Sequence, residues 1–306
     1  MKNETYYSNG KLLISGEYLV LDGALSLAIP TIFGQSLLVE TIDEPKIIWN
    51  SLDDKGHVWF EDVFLIEQIA VSMPSNDISK RLFQILNTAK QLNPNFLNTK
   101  NGFKITTSLT FPKDWGLGTS STLINNIANW AKVDAYTLLE KTFGGSGYDI
   151  ACAQYKHPIS YQLVNGKPLV NTAEFNPSFK EHIYFVYLNK KQNSREGISK
   201  YKDNRNNIKS SISEINKITT HMISCKSLDD FDNLILEHEH IISKIIKQQP
   251  IKTILFADFN GHIKSLGAWG GDFVMVTSKT NPTAYFKAKG FETIIPYDNM
   301  VLKNNP

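Results

Sequence analysis

Cysteine is nearly absent: the 306 residues hold two, Cys152 and Cys225. At most one disulfide can form, which excludes a small secreted scaffold stapled by several bridges. An excess of one charge is absent too. Lys plus Arg number 32 against 30 Asp plus Glu, a net charge of +2. That balance is too even to imply attraction to nucleic acid or an anionic membrane through the protein's field. No apolar run approaches the roughly 20 residues that span a bilayer. The opening MKNETYYSNGK lacks the apolar core of a signal peptide, and there is no internal repeat or low-complexity tract. What is present is an ordinary globular composition, 42% hydrophobic and 20% charged, which rules out a disordered, collagen-like or coiled-coil chain. At roughly 150 residues per domain, the length fits two domains. The expectation is a cytoplasmic, two-domain α/β protein with a core large enough for an enzyme.

Residues 11–21, KLLISGEYLVL, hold two apolar stretches broken by Ser15-Gly16-Glu17 and predict a strand, a tight turn and a second strand. LSLAIPTIFGQSLLVET over 25–41 predicts another strand pair. KIIWNSLDDKGHVWFEDVF predicts a hairpin turning near 53–56. Ile78, Leu82, Ile85 and Leu86 stand at helical spacing and predict a helix over 77–92. Residues 103–111 alternate like a half-buried strand. Leu123, Ile124, Ile127, Ala128 and Ala131 mark a helix, and a shorter helical stretch follows at 134–142. Residues 159–171 predict a hairpin turning at Asn165-Gly166. A change of composition at 173–181 then sets the expected domains at 1–175 and 176–306. The second half predicts a strand at 182–188 and a long polar helix over 196–224. The next helix is entered through a capping box of Ser227 with Asp230, and Phe231, Leu234, Ile235, Ile241 and Ile242 mark its buried face. After the segment KTILFAD come a glycine-rich turn at 267–272, the strand FVMVTS, a helix near 282–289 and a last strand, ETIIPY.

Four motifs carry chemistry. The first in strength is Pro112-Lys113-Asp114-Trp115-Gly116-Leu117-Gly118-Thr119-Ser120-Ser121, set between a predicted strand and a predicted helix. Two glycines let backbone N–H groups approach a ligand, the helix start offers unpaired N–H groups, and three hydroxyls can donate to phosphate or ligate Mg²⁺. It is a phosphate cradle without the lysine of a Walker A loop. The second is Gly144-Gly145-Ser146-Gly147-Tyr148-Asp149, an acid just after a turn that admits a ligand closely. The third is Lys264-Ser265-Leu266-Gly267-Ala268-Trp269-Gly270-Gly271-Asp272, and the fourth is Gly10-Lys11 followed by Gly16-Glu17-Tyr18. Taken singly, each also fits a plain turn or a solvated surface lysine. Neither His238 nor His240 forms a metal site, because residues i and i+2 of a helix do not share a face.

In order along the chain, the four motifs resemble those of the GHMP kinases. Gly10-Lys11 with Gly16-Glu17-Tyr18 matches the family's PGK…GEH/Y segment, and 112–120 matches P-x-x-x-G-L-G-S-S with Thr119 for the first Ser. Ser146-Gly147-Tyr148-Asp149 matches S-G-x-D, and 264–272 matches the C-terminal glycine loop with Leu266 and Trp269 as departures. The Gly-Glu-Tyr and Gly-Gly-Asp versions look like phosphomevalonate kinases more than mevalonate kinases. The Gly-Tyr-Asp-Ile-Ala run at 147–151 resembles a bacterial subgroup of the family. From Ser120 to Asp149 is only 29 residues, shorter than in mevalonate kinases.

The resemblance implies a ribosomal-protein-S5-like N-terminal domain and a ferredoxin-like C-terminal domain, with nucleotide and acceptor meeting in the cleft between them. It implies ATP and Mg²⁺ as cofactors, a small-molecule substrate, no nucleic acid or membrane partner, and a monomer or homodimer. Pro112, Gly116, Leu117, Gly118, Thr119, Ser120 and Ser121 would hold the nucleotide. Asp149 and Lys11 would be catalytic. Lys11, Glu17, Tyr18, Ser146, Gly147, Lys190, Ser194, Arg195, Gly267, Ala268, Gly270 and Gly271 would line the substrate side. Ser120 would ligate Mg²⁺, with Glu140 a second ligand or a plain solvated residue. The implied reaction is transfer of the γ-phosphoryl group of ATP to phosphomevalonate, with mevalonate, a sugar or a sugar phosphate as other acceptors. A diphosphomevalonate decarboxylase and a non-catalytic binding member are the readings from other classes.

Overall fold

A computed structural model describes residues 3–70, 74, 76–205 and 208–303. The chain forms two compact units, and neither is one continuous stretch. The first takes 1–10, 33–113 and 117–154; the second takes 11–32, 114–116 and 155–306. Two long strands pass from one unit into the other. They are β1 (Asn3–Leu13) and β2 (Ser26–Ile42).

The first unit adds β3 (Lys46–Leu52), β4 (Val58–Leu65), α1 (Asp77–Leu92), β5 (Gly102–Leu109), α2 (Thr119–Ala131), α3 (Ala135–Thr142) and α4 (Tyr148–Gln154). Its strands run in the order β4-β3-β5-β2. β3 and β4 form the expected antiparallel hairpin, and Asp53 shapes its turn by accepting the Lys55 and His57 N–H groups. β3 and β5 are parallel, which requires a crossover, and α1 lies in that connection. One face of the sheet presents Leu37, Val39, Ile47, Trp49 and Ile105 to Leu82, Leu86, Ile124, Ile127 and Leu138 of the helices, and these form a single buried core. Helix starts are fixed locally: Asn76 accepts the Ser79 N–H, and Asp134 accepts that of Thr137.

The second unit adds β6 (Ile159–Val164), β7 (Lys167–Thr172), β8 (Ile183–Tyr187), α5 (Ser194–Asn204), α6 (Lys209–Ser224), α7 (Leu228–Ile246), α8 (Ile251–Leu255), β9 (His262–Ser265), β10 (Phe273–Thr277), α9 (Thr283–Ala288) and β11 (Ile294–Pro296). β6 and β7 form the expected hairpin and dock on Ser26–Ala28 of β2. The expected domain boundary at 175–176 therefore falls inside this unit, after the hairpin. A separate antiparallel sheet runs β11-β8-β10-β9. With helices between its first and second strands and between its third and fourth, it has the ferredoxin-like β-α-β-β-α-β pattern. The expected fold class, α/β with two domains of these kinds, is the one found.

Three local expectations are corrected. Residues 18–21 form no second strand; Leu19–Asp22 is a short 3-10 turn with Leu19 and Val20 buried. Residues 25–41 hold one 17-residue strand in place of a pair. Within it Gly34 makes room for the chain of β1, since a Cβ there would stand 2.3 Å from the Ser8 carbonyl oxygen. The polar helix over 196–224 is two helices, α5 and α6. Pro250 starts the short helix α8, which takes in the first four residues of KTILFAD. Cys152 is buried, Cys225 half-buried, and both are thiols. Among the described residues no helix is long and apolar enough to cross a membrane.

Candidate active site

In the first unit, α2 begins at Gly118, which has φ 95 and gives the helix start no side-chain cap. Left-handed backbone there suits glycine, and the uncapped N–H groups of a 13-residue helix present a positive dipole end. The Ser121 hydroxyl donates to the Gly118 carbonyl at 2.9 Å, and that of Thr122 donates to the Gln35 side chain at 2.8 Å. These two hydroxyls shape the loop from within. Thr119 stays half-buried and Ser120 exposed, so theirs are the hydroxyls that a ligand can meet. Leu117 is buried and anchors the loop; Pro112 is half-buried.

A buried polar network fixes the helix behind this loop. Ser8 donates to Asn126, Asn125 donates to Ser8, Asn126 donates to the Gln35 carbonyl, and Gln154 of α4 donates to Asn125. Each bond is 2.7–3.0 Å, and together they tie α4 to α2. Asp149 sits half-buried in the first turn of α4, its Oδ1 accepting the Ile150 N–H at 3.1 Å. Ser146 and Gly147 are buried just ahead of it. Glu140 is exposed on α3. Among the described residues no group of three or more His, Cys, Asp or Glu side chains is placed to hold a metal. Any Mg²⁺ here depends on donors such as the Ser120 hydroxyl and on ligand oxygens.

In the second unit the Lys11 ammonium donates to the Gly116 carbonyl at 2.9 Å. Gly116 is backed by Asp272; a Cβ at 116 would stand 2.3 Å from the Asp272 Cγ. Asp272 accepts the Gln192 N–H, and its own N–H donates to the Lys190 carbonyl. Burial pushes the Asp272 carboxyl up, against the pull of the Gln192 N–H, Lys11 and Lys191. Trp115 packs edge-on against Phe273 and holds residues 114–116 to the sheet. Lys190 is exposed, and Lys191 faces Asp114 at 3.6 Å. Ser194 and Arg195 open α5, but their side chains lie outside the described residues. Helix α5 is moored to the 3-10 turn through Asp22, which takes bonds from Tyr201 at 2.5 Å and Arg205 at 2.7 Å.

Glu17 and Tyr18 sit at the centre of this unit's site. The Tyr18 hydroxyl donates to the Ala268 carbonyl at 2.8 Å, tying the turn to the glycine loop that carries Gly267, Gly270 and Gly271. Burial, with Glu17 beside it, pushes the phenol up to about 12, so it is a neutral donor. Glu17 is fully buried and paired with the equally buried Lys264. The Gly16 N–H donates to His238 Nε2 at 3.0 Å, which makes that nitrogen an acceptor and puts the ring proton on Nδ1. The Glu17 Oε2 lies 3.1 Å from the same nitrogen, a contact that becomes an ion pair only if the ring is protonated. Burial and the Lys264 charge push His238 down and keep it neutral. Burial would raise the Glu17 carboxyl, but the Lys264 charge outweighs it and holds it below its ordinary value. Glu239, next on α7, accepts the Ser265 hydroxyl at 2.9 Å. Burial pushes Glu239 up to about 8, although Lys264 and Ser265 pull the other way.

A carboxyl raised from 4.5 to about 8 in the folded protein keeps a proton that the unfolded chain releases. Its stabilising contribution is full below pH 4.5 and declines as pH rises through that window, by on the order of a few kcal/mol. Glu239→Gln, neutral at every pH, is therefore expected to raise the urea midpoint at pH 8 while changing it little at pH 5. An equal change at both pH values contradicts a protonated Glu239.

The motifs had marked Lys11, Glu17, Tyr18, Gly116, Ala268 and Ser120, and the structure gives each a defined place in its own unit. It gives Lys264 and Asp272 of the third motif a place as well, and adds His238 and Glu239, which no motif had marked. A signal for His238 existed: it shares the stripe Phe231, Ile235, His238 and Ile242, where a histidine is carried into the core.

No protein-family model and no curated protein sequence matches the chain. Solved structures do match in fold. The Methanococcus jannaschii mevalonate kinase superposes with a TM-score of 0.72 at 19% identity, covering 99% of each chain. The Streptococcus pneumoniae phosphomevalonate kinase in complex with phosphomevalonate and AMPPNP gives 0.70 at 13% identity, covering 98% of each. The Lactococcus lactis galactokinase complexed with galactose gives 0.67 at 11% identity, covering 94% of this chain and 88% of that one. The chain thus has the two-domain GHMP kinase fold over nearly its whole length.

Proposed function

We propose that this protein is an ATP- and Mg²⁺-dependent kinase that transfers the γ-phosphoryl group to phosphomevalonate. The observation that carries the kinase reading is the uncapped start of α2 behind a left-handed Gly118, inside the family's glycine motif. Its chemistry fits the β- and γ-phosphates of a nucleotide. The structural likeness to a phosphomevalonate kinase solved with phosphomevalonate and AMPPNP supports it. The Gly16-Glu17-Tyr18 and Gly270-Gly271-Asp272 sequences, with Lys190 and Arg195, favour an acceptor that is already phosphorylated.

Phosphoryl transfer asks the protein mainly to position reactants and offset charge. Residues 116–121 cradle the phosphates, with backbone N–H groups as donors. ATP supplies the phosphoryl group, and the Ser120 hydroxyl would hold Mg²⁺, which when bound would supply neutralisation of phosphate charge. Lys11 offsets charge on the transferring group. Asp149 serves the acceptor oxygen. A hydroxyl acceptor would need it as a general base, whereas a phosphate acceptor, already anionic near neutral pH, needs it only to orient neighbouring groups. Lys190, Ser194 and Arg195 bind the acceptor's phosphate. A charge-assisted contact contributes roughly 1.5–3 kcal/mol, so Arg195→Ala is expected to raise the acceptor KM at least ~10-fold and to leave the ATP KM nearly unchanged. The test is ADP release against phosphomevalonate, mevalonate, homoserine and a sugar panel, for wild type and Arg195→Ala. Good turnover of mevalonate with none of phosphomevalonate, and a silent Arg195→Ala, would refute this acceptor.

A further inference from the structure

The turn at Glu17-Tyr18-Leu19 is strained. Tyr18 has φ 64 and ψ −52, and the Leu19 N–H bonds back to the Glu17 carbonyl at 2.7 Å. That is the positive-φ γ-turn, a rare form that persists only when its surroundings impose it. Here the surroundings grip every residue. Gly16 gives its N–H to His238, Glu17 gives its carboxylate to Lys264, and Tyr18 gives its hydroxyl to Ala268. The Lys264 ammonium also donates to the Ser265 carbonyl at 3.0 Å, and Glu239 holds the Ser265 hydroxyl. His238 and Glu239 lie mid-way along α7, a 19-residue helix whose start is capped by Ser227. They are placed on a rigid element, where a support for loops belongs.

We propose that His238 and Glu239 are positioning residues for the substrate side of the site: they hold the strained turn 16–19 and the start of the glycine loop, 264–268, at a fixed spacing. The functional consequence rests on the kinase reading; the geometric part does not. The groups facing this pair are Glu17 and Lys264, with the Ser265 hydroxyl on Glu239. The cluster is neutral overall while Glu17 and Lys264 are charged and His238 and Glu239 are not. Loss of the Glu239 proton leaves one net buried negative charge that competes with Glu17 for Lys264.

Hydrogen exchange on the full chain tests the geometry. His238→Ala is expected to speed exchange at Leu19 and across 266–272 at least ~10-fold, with the amides of α1–α3 within twofold of wild type. His238→Gln, whose amide oxygen can accept the Gly16 N–H, should restore most of the protection. Uniform acceleration along the whole chain, or none at these amides, overturns the proposal. Turnover tests the consequence. With whichever acceptor the wild type phosphorylates, His238→Ala should lower kcat/KM for that acceptor at least ~10-fold, with the ATP KM within twofold and recovery in His238→Gln. Wild-type turnover in His238→Ala overturns the positioning role. If the wild type phosphorylates no acceptor, the kinase reading fails, and the exchange result alone decides the geometry. If His238→Ala does not fold, Glu239→Gln decides: wild-type acceptor kcat/KM should fall above pH 8 and that of the variant should not, and superimposable pH profiles overturn the proposal.

Discussion

Gly118→Val is expected to abolish nucleotide binding while the protein still folds. Gly118 sits at φ 95 at the head of α2, a conformation that a β-branched residue resists. A side chain at the head of this uncapped helix is also expected to occupy space that the phosphates need. Loss of a helix cap costs about 1 kcal/mol. Filling the phosphate space should cost more, and a 100-fold weaker ATP affinity corresponds to about 2.7 kcal/mol. Calorimetric titration of ATP with Mg²⁺, alongside a thermal melt, reads both quantities. Near-wild-type affinity in a folded variant would show the loop to be structural only.

Lys264→Met should be the most destabilising single change outside the apolar cores. Lys264 and Glu17 are both fully buried and paired. Removing the cation leaves the buried carboxylate without the ammonium it is paired with. Breaking such a pair costs about 3–5 kcal/mol, whereas replacing both partners by neutral groups of similar size is often tolerated. The double variant Glu17→Gln with Lys264→Met should therefore recover most of the lost urea stability. A single variant within about 1 kcal/mol of wild type, or a double variant as unstable as the single, contradicts the ion-pair account.

Much of the fold was legible because long periodic segments speak for themselves. α1 and the β3–β4 and β6–β7 hairpins lie where spacing and turn residues put them. The misreadings occur where a residue's usual meaning is overridden by a distant partner. Residues 25–41 read as a strand pair, since nothing local reveals that Gly34 serves a close approach to the Ser8 carbonyl. Tyr18-Leu19-Val20 reads as a strand, since nothing local reveals that His238, Lys264 and Ala268 impose a γ-turn from more than 200 residues away. The glycine motifs were legible because a helix start, left-handed glycines and hydroxyls are coded within ten residues. The support beneath them was not, because His238-Glu239 and Lys264-Ser265 meet only when α7 packs on β9. The even charge balance conceals the cluster further, since its charges cancel.

Phosphorus NMR of the purified protein with ATP, Mg²⁺ and phosphomevalonate tests the central proposal most directly. The account predicts that the phosphomonoester signal of the acceptor gives way to two coupled diphosphate signals as ADP accumulates in equal amount, and that Gly118→Val yields neither. ATP and phosphomevalonate both left intact, or a phosphomonoester formed from mevalonate in their place, would contradict it.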